Sequence, residues 1–248
     1  MKNKVGIILG SGLSSFSDLL TESKVLYTDE ESFHKMKILT GKISGKDVIL
    51  FAGRRHLYEG YSKEKILEFV DIAKVHGVKL LIISNAAGGL NINFKVSDLM
   101  LVTSHLNFLK KNFTLSPNLV QYNNELTEKL FKIALSKKIN LRKGTYCCLS
   151  GPNYETRSEI SYLKKFGIDA VGMSTIPEVL YAAEKGIKTI AISCITNLLS
   201  VSGTEITDHS EVVEAGRSAF KNFTEIIISI IENSDSLIFN NNKNNNVN

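Results

Sequence analysis

The stretch VGIILGSGLSS, residues 5–15, decides how the rest of the chain is read. Residues 5–9 form a short apolar run, and Gly10-Ser11-Gly12 follows it as a turn. Such a run, too brief for a helix and bounded by glycines, predicts a strand buried on both faces. Its glycines also make it unlike the unbroken apolar stretch of a signal peptide. Working outward, residues 48–51 and 80–84 repeat the pattern, with an amphipathic helix over 63–76 between them and Gly77 stopping it. Residues 99–103, 144–149, 170–173 and 189–195 continue the series of strands, and helical spacing runs through 211–231. Thr156 followed by Glu159, and Thr175 followed by Glu178, match the capping-box pattern that opens a helix. Strands alternating with helices predict an α/β class: a single domain with a central mixed β-sheet flanked by helices on both faces. No internal repeat or linker divides residues 1–239. Residues 240–248 (NNNKNNNVN) offer little to bury and read as a disordered asparagine-rich tail.

Composition narrows the function classes. The chain has 248 residues, 43% of them hydrophobic, enough for one sizeable core. A formal net charge of +5 without a dense basic block suits an anionic substrate and argues against nucleic acid as a partner. Three cysteines, Cys147, Cys148 and Cys194, lie in apolar runs, and two are adjacent. Buried thiols in a reducing compartment fit that pattern better than a disulfide framework, so a cytoplasmic location is expected. No cysteine–histidine spacing suggests a metal site. No stretch reaches the roughly 18 apolar residues of a membrane helix, so no membrane partner is expected.

Five segments carry polar residues at places where strands end, which is where open α/β sheets gather ligands. In LGSGLSS, Ser11 stands between two glycines, and exposed amides there suit a phosphate. A dinucleotide fingerprint is the rival reading, but Ser15 stands where a third glycine is needed. In AGRRHLYEGYS, residues 52–62, Arg54, His56, Tyr58 and Glu59 crowd beyond a strand; a guanidinium grips two phosphate oxygens and a histidine adds a donor or a proton. An ordinary charged loop is the plainer alternative. SNAAGGLN, residues 84–91, follows the strand 80–84, and its small residues leave room for a ligand to approach the main chain; a tight turn made for packing is the plainer alternative. In SGPNYETRSEI, residues 150–160, Tyr154 and Glu155 precede a capped helix, where an acid also favours the helix dipole. Met173 and Ser174 end one strand and Asn197 ends another, positions open to core packing and turn formation as well as to binding.

In this order and combination, GRRHLYEGY, NAAGGLN, GPNYET, GMSTIPEV and ITN resemble the trimeric family of purine nucleoside phosphorylases, over most of the chain from Gly10 to about Gly216. The resemblance implies the nucleoside phosphorylase fold, a homotrimer, and phosphate-dependent cleavage of inosine, guanosine and their 2′-deoxy forms in purine salvage. It implies no cofactor, with inorganic phosphate as a co-substrate. It puts Ser11, Arg54, His56, the Ala86 amide and Ser174 at phosphate positions, and His34, in the degenerate segment FHKMKILTG, as a further phosphate-side histidine. Tyr58 and Met173 match ribose positions, with His209 near the 5′-hydroxyl; Tyr154, Glu155 and Asn197 match purine positions. His56, Glu155 and Asn197 stand as the catalytic set. The stretch 105–126 departs from the family pattern, and Phe113 is its candidate for the aromatic that closes a neighbouring subunit's site.

Rival readings remain. Methylthioadenosine phosphorylases resemble the scaffold but carry an aspartate where Asn197 stands, lack the glutamate at position 155, and suit an apolar 5′-group rather than His209. A nucleoside hydrolase would not need Arg54, His56 and Ser11, and a non-catalytic nucleoside- or phosphate-binding protein would keep the pocket without turnover.

Overall fold

The run 5–9 forms β1 (Lys4–Leu9), buried from Val5 onward. It pairs in parallel with β4 (Lys46–Ala52) on one side and β5 (Val78–Gly89) on the other. Neither face of β1 meets water, which is why its sequence lacks polar alternation. Ile8 packs into a core shared with α1 (Lys63–Val75) and α4 (Ile176–Glu184). Val5, Ile7 and Leu9 point the other way, into a core with α2 (Asn124–Ser136) and α5 (His209–Glu232). Helices therefore cover both faces, as the α/β reading expects. The structure is a computed structural model that describes residues 4–29, 35–109, 113, 122–201 and 209–239, with the backbone alone at 209–212 and 216. The tail 240–248 lies outside the described residues.

The sheet is mixed. Beyond β4 run two antiparallel strands, β2 (Thr21–Asp29) at the edge and β3 (Met36–Ile43) next to it. On the other side, β5 leads through β8 (Ala170–Gly172), β7 (Leu141–Cys148) and β6 (Leu99–Asn107) to β9 (Lys188–Leu198), which pairs back onto β5. Five strands thus close into a ring, and an open sheet grows from its β5 side. The helices α3 (Arg157–Lys165) and α6 (Ser234–Ile238) complete the described α-helices. Thr156 forms the expected capping box with Glu159. Gly77 stops α1 with φ 79°.

Two expectations are corrected. The strand expected over 80–84 runs further: β5 continues to Gly89, pairing with β9 and with β8, which also removes the alternative of a tight turn at 85–89. The small residues serve strand-to-strand approach, since a Cβ at Gly88 would come within 2.8 Å of Leu199. The Thr175–Glu178 capping box is absent as well. The Thr175 hydroxyl makes no cap bond, and Thr175 has φ 81° and ψ −52°. With the Ile176 amide donating to the Ser174 carbonyl at 3.0 Å, this is a γ-turn of the strained, positive-φ kind.

Candidate active site

The parallel strands β1, β4, β5 and β9 end at one side of the sheet, where a cavity of about 620 Å³ opens. Ser11, Arg54, His56, Ala86 and Ser174 all line it. So do Tyr58, Met173, Tyr154, Glu155 and Asn197. His34 lies outside the described residues, and for His209, the first residue of α5, only the backbone is described.

Arg54 is 4% exposed, and its guanidinium is held at several points. Its Nη1 donates to Ser174 Oγ and Thr175 Oγ1, each at 3.0 Å. Its Nη2 donates to the Ser84 carbonyl. Asn85 Nδ2 also donates to Thr175 Oγ1, at 2.9 Å, which ties β5 to the same γ-turn. The strained turn is thus clamped from β5 and from the loop after β4, and also by Tyr146 of β7, whose hydroxyl donates to the Ser174 carbonyl at 3.3 Å. His56 Nδ1 lies 3.0 Å from Glu59 Oε1, a carboxylate that orients the ring and favours a proton on Nδ1. The Tyr58 ring stacks on His56 with centroids 4.9 Å apart. Burial, helped by Glu59, pushes the Tyr58 phenol up to about 12, so it stays neutral and can donate.

The loop after β7 reaches the cavity because residue 151 is glycine. It has φ +67°, and a Cβ there would approach Met173 Sδ to 2.5 Å and Tyr58 Cδ1 to 2.8 Å. Glu155 follows on that loop, and burial raises its carboxyl above the ordinary 4.5. Asn197, near the end of β9, accepts from the Thr196 hydroxyl through Oδ1 at 3.2 Å, which sets the plane of its amide. Chemically, the cavity offers a cation with hydroxyl donors for an anion, and a carboxylate with an amide for a polar heterocycle edge.

The model of the phosphorylase superfamily matches residues 4–232. Purine nucleoside phosphorylase 1 of Bacillus subtilis is 37% identical over 92% of this chain and 91% of its own length. Solved structures of the purine nucleoside phosphorylase of Schistosoma mansoni superpose closely, each covering 93% of this chain and 90% of theirs. The adenosine complex has a TM-score of 0.85 and the inosine complex 0.84, both at 30% identity. The chain belongs to the purine nucleoside phosphorylase family.

It is accordingly an enzyme of the pentosyltransferase class. Against the family's pattern, one expectation changes. Phe113 is 3% exposed and packs in the chain's own core with Lys63 above its ring, so it is not presented to a neighbouring subunit. The stretch 105–126 had little apolar periodicity from which to foresee this. Sequence reading also missed Ser84, Asn85, Thr175 and Glu178, and assigned no role to Glu59. Thr175 and Glu178 matched a capping pattern, which records spacing but not partners. The three cysteines are free and buried, and burial pushes Cys147 and Cys194 up to about 12.

Proposed function

We propose that the chain cleaves 6-oxopurine nucleosides, inosine and guanosine with their 2′-deoxy forms, using inorganic phosphate and no further cofactor. The observation that carries this reading is that one cavity joins the Arg54–Ser174 cluster to Glu155 and Asn197. A phosphate dianion held by Arg54, Ser174, Ser11, His56 and the Ala86 amide sits under the sugar. As the bond from the anomeric carbon to the purine nitrogen lengthens, positive charge grows on the ribose and negative charge on the base. The phosphate stabilises the first, and the second spreads into the purine, where Asn197 donates to the imidazole ring. A phosphate oxygen then bonds to the anomeric carbon, giving ribose 1-phosphate and free base. Positioning and preorganised charge do most of this work. Tyr58 and Met173 hold the ribose, His209 its 5′-hydroxyl, and Tyr154 lies against the base.

Glu155 selects the keto form by accepting from the ring N–H. Adenine lacks that hydrogen, and a buried mismatch costs about 1–3 kcal/mol per unpaired group. Support for a homotrimer comes from the family likeness, and for the cytoplasm from three cysteines buried in apolar surroundings rather than placed for cross-links. Inosine incubated with and without phosphate tests the reading: hypoxanthine and ribose 1-phosphate are expected only with phosphate. Equal hypoxanthine release without it means a hydrolase.

A further inference from the structure

The reaction as drawn makes no use of Glu178, yet its side chain is 3% exposed and sits beside the only cation that the phosphate site buries among the described residues. Glu178 lies in the first turn of α4, whose neighbouring residues Ile176, Val179 and Leu180 are buried and apolar. Its Oε1 is 3.6 Å from Arg54 Nη1, while Ser174 and Thr175 oxygens take the hydrogen bonds of that nitrogen at 3.0 Å. The carboxylate is therefore a charge partner rather than a good hydrogen-bond acceptor. Its Oε2 is buried with no hydrogen-bond partner among the described residues, and so is Arg54 Nε. Neither group is saturated by the other.

A lone buried guanidinium is costly, and a carboxylate alongside offsets that cost while the site is empty. Once a phosphate dianion arrives, two anions share one guanidinium in surroundings that screen charge poorly. We infer that Glu178 is an internal competitor for Arg54: a positioning residue that holds the guanidinium ready but keeps phosphate, and the sugar phosphate formed from it, from binding too tightly. This rests on the assignment of Arg54 to the phosphate site. Its logic lies in the product, since ribose 1-phosphate carries the same phosphate oxygens and must leave the same cradle.

The test uses the full chain with Glu178→Gln, which keeps shape and removes charge. Phosphate is titrated by calorimetry, and steady-state rates are measured with inosine. The phosphate Kd and KM, and the inhibition constant of ribose 1-phosphate, are expected to fall together by about tenfold, with the inosine KM unchanged. A residue that merely props up Arg54 would give the opposite sign, so weaker or unchanged phosphate binding overturns the inference. Should Glu178→Gln fail to fold, Glu178→Met carries the same expectation, read from the phosphate-dependent rise in melting temperature. Arg54→Met separates the two levels. If it leaves phosphate affinity intact, the site assignment itself fails; if it abolishes binding while Glu178→Gln does not tighten it, only the competitor role fails.

Discussion

In the proposed reaction Glu155 sets recognition against folding. Burial raises its carboxyl above 4.5, so the folded chain holds the proton more tightly than the unfolded chain does. Stability from that proton is full below the unfolded value and is lost as pH rises through the folded one. Burial therefore works against the ionised form, which is the form that the proposed purine recognition uses. Glu155→Gln is expected to raise the melting temperature by a few degrees at pH 7 and by nothing near pH 4, in paired calorimetric scans. The same ionisation puts the acid limb of the inosine kcat/KM profile above 4.5, where an ordinary carboxylate would put it. Glu155→Ala should cut 6-oxopurine turnover on the order of 100-fold while phosphate Kd stays within about twofold. Asn197→Asp should lower activity on inosine and raise relative use of adenosine, read as a ratio of kcat/KM values. Residues of this kind were legible because they stand on segments where a core would ask for nothing polar. Glu178 was not, because an acid three residues after a threonine also caps helices, and only the fold decides which partner it meets.

Elements were legible where burial was one-sided or complete. β1 and α1 follow from an apolar run and a 3.6-residue period ended by glycine. β2 does not, because eight of its nine residues are exposed, which leaves no apolar face to read. β5 was cut short at Ser84 because alanine and glycine signal turns, whereas here they let β9 and β8 come close. The γ-turn that begins α4 is the element whose chemistry is hardest to read from spacing. Its central residue is β-branched and has φ 81°, so its strain is borne by the hydroxyl contacts to Arg54 and Asn85. Thr175→Ala should therefore lose about 1–3 kcal/mol of stability and weaken phosphate binding. Thr175→Ser keeps the hydroxyl and should retain both, by chemical denaturation and phosphate titration.

For the whole molecule, two expectations concern assembly and ligand linkage. Sedimentation should give a species three times the 27.5 kDa chain mass if the homotrimer holds, and one chain mass would refute it. Phosphate at about 100 times its Kd should add roughly 2.7 kcal/mol of stability, seen as a rise in melting temperature that Arg54→Met abolishes. The closed ring also has a consequence for synthesis. β9 pairs in parallel with β5 and antiparallel with β6, so both earlier strands keep a bare edge until residues 188–198 have left the ribosome. A nascent chain stalled short of that point would expose unpaired backbone and no nucleoside pocket, which makes it a ready client for chaperones. Release of this strand closes the ring, and α5, which follows it, then completes the core and one wall of the cavity.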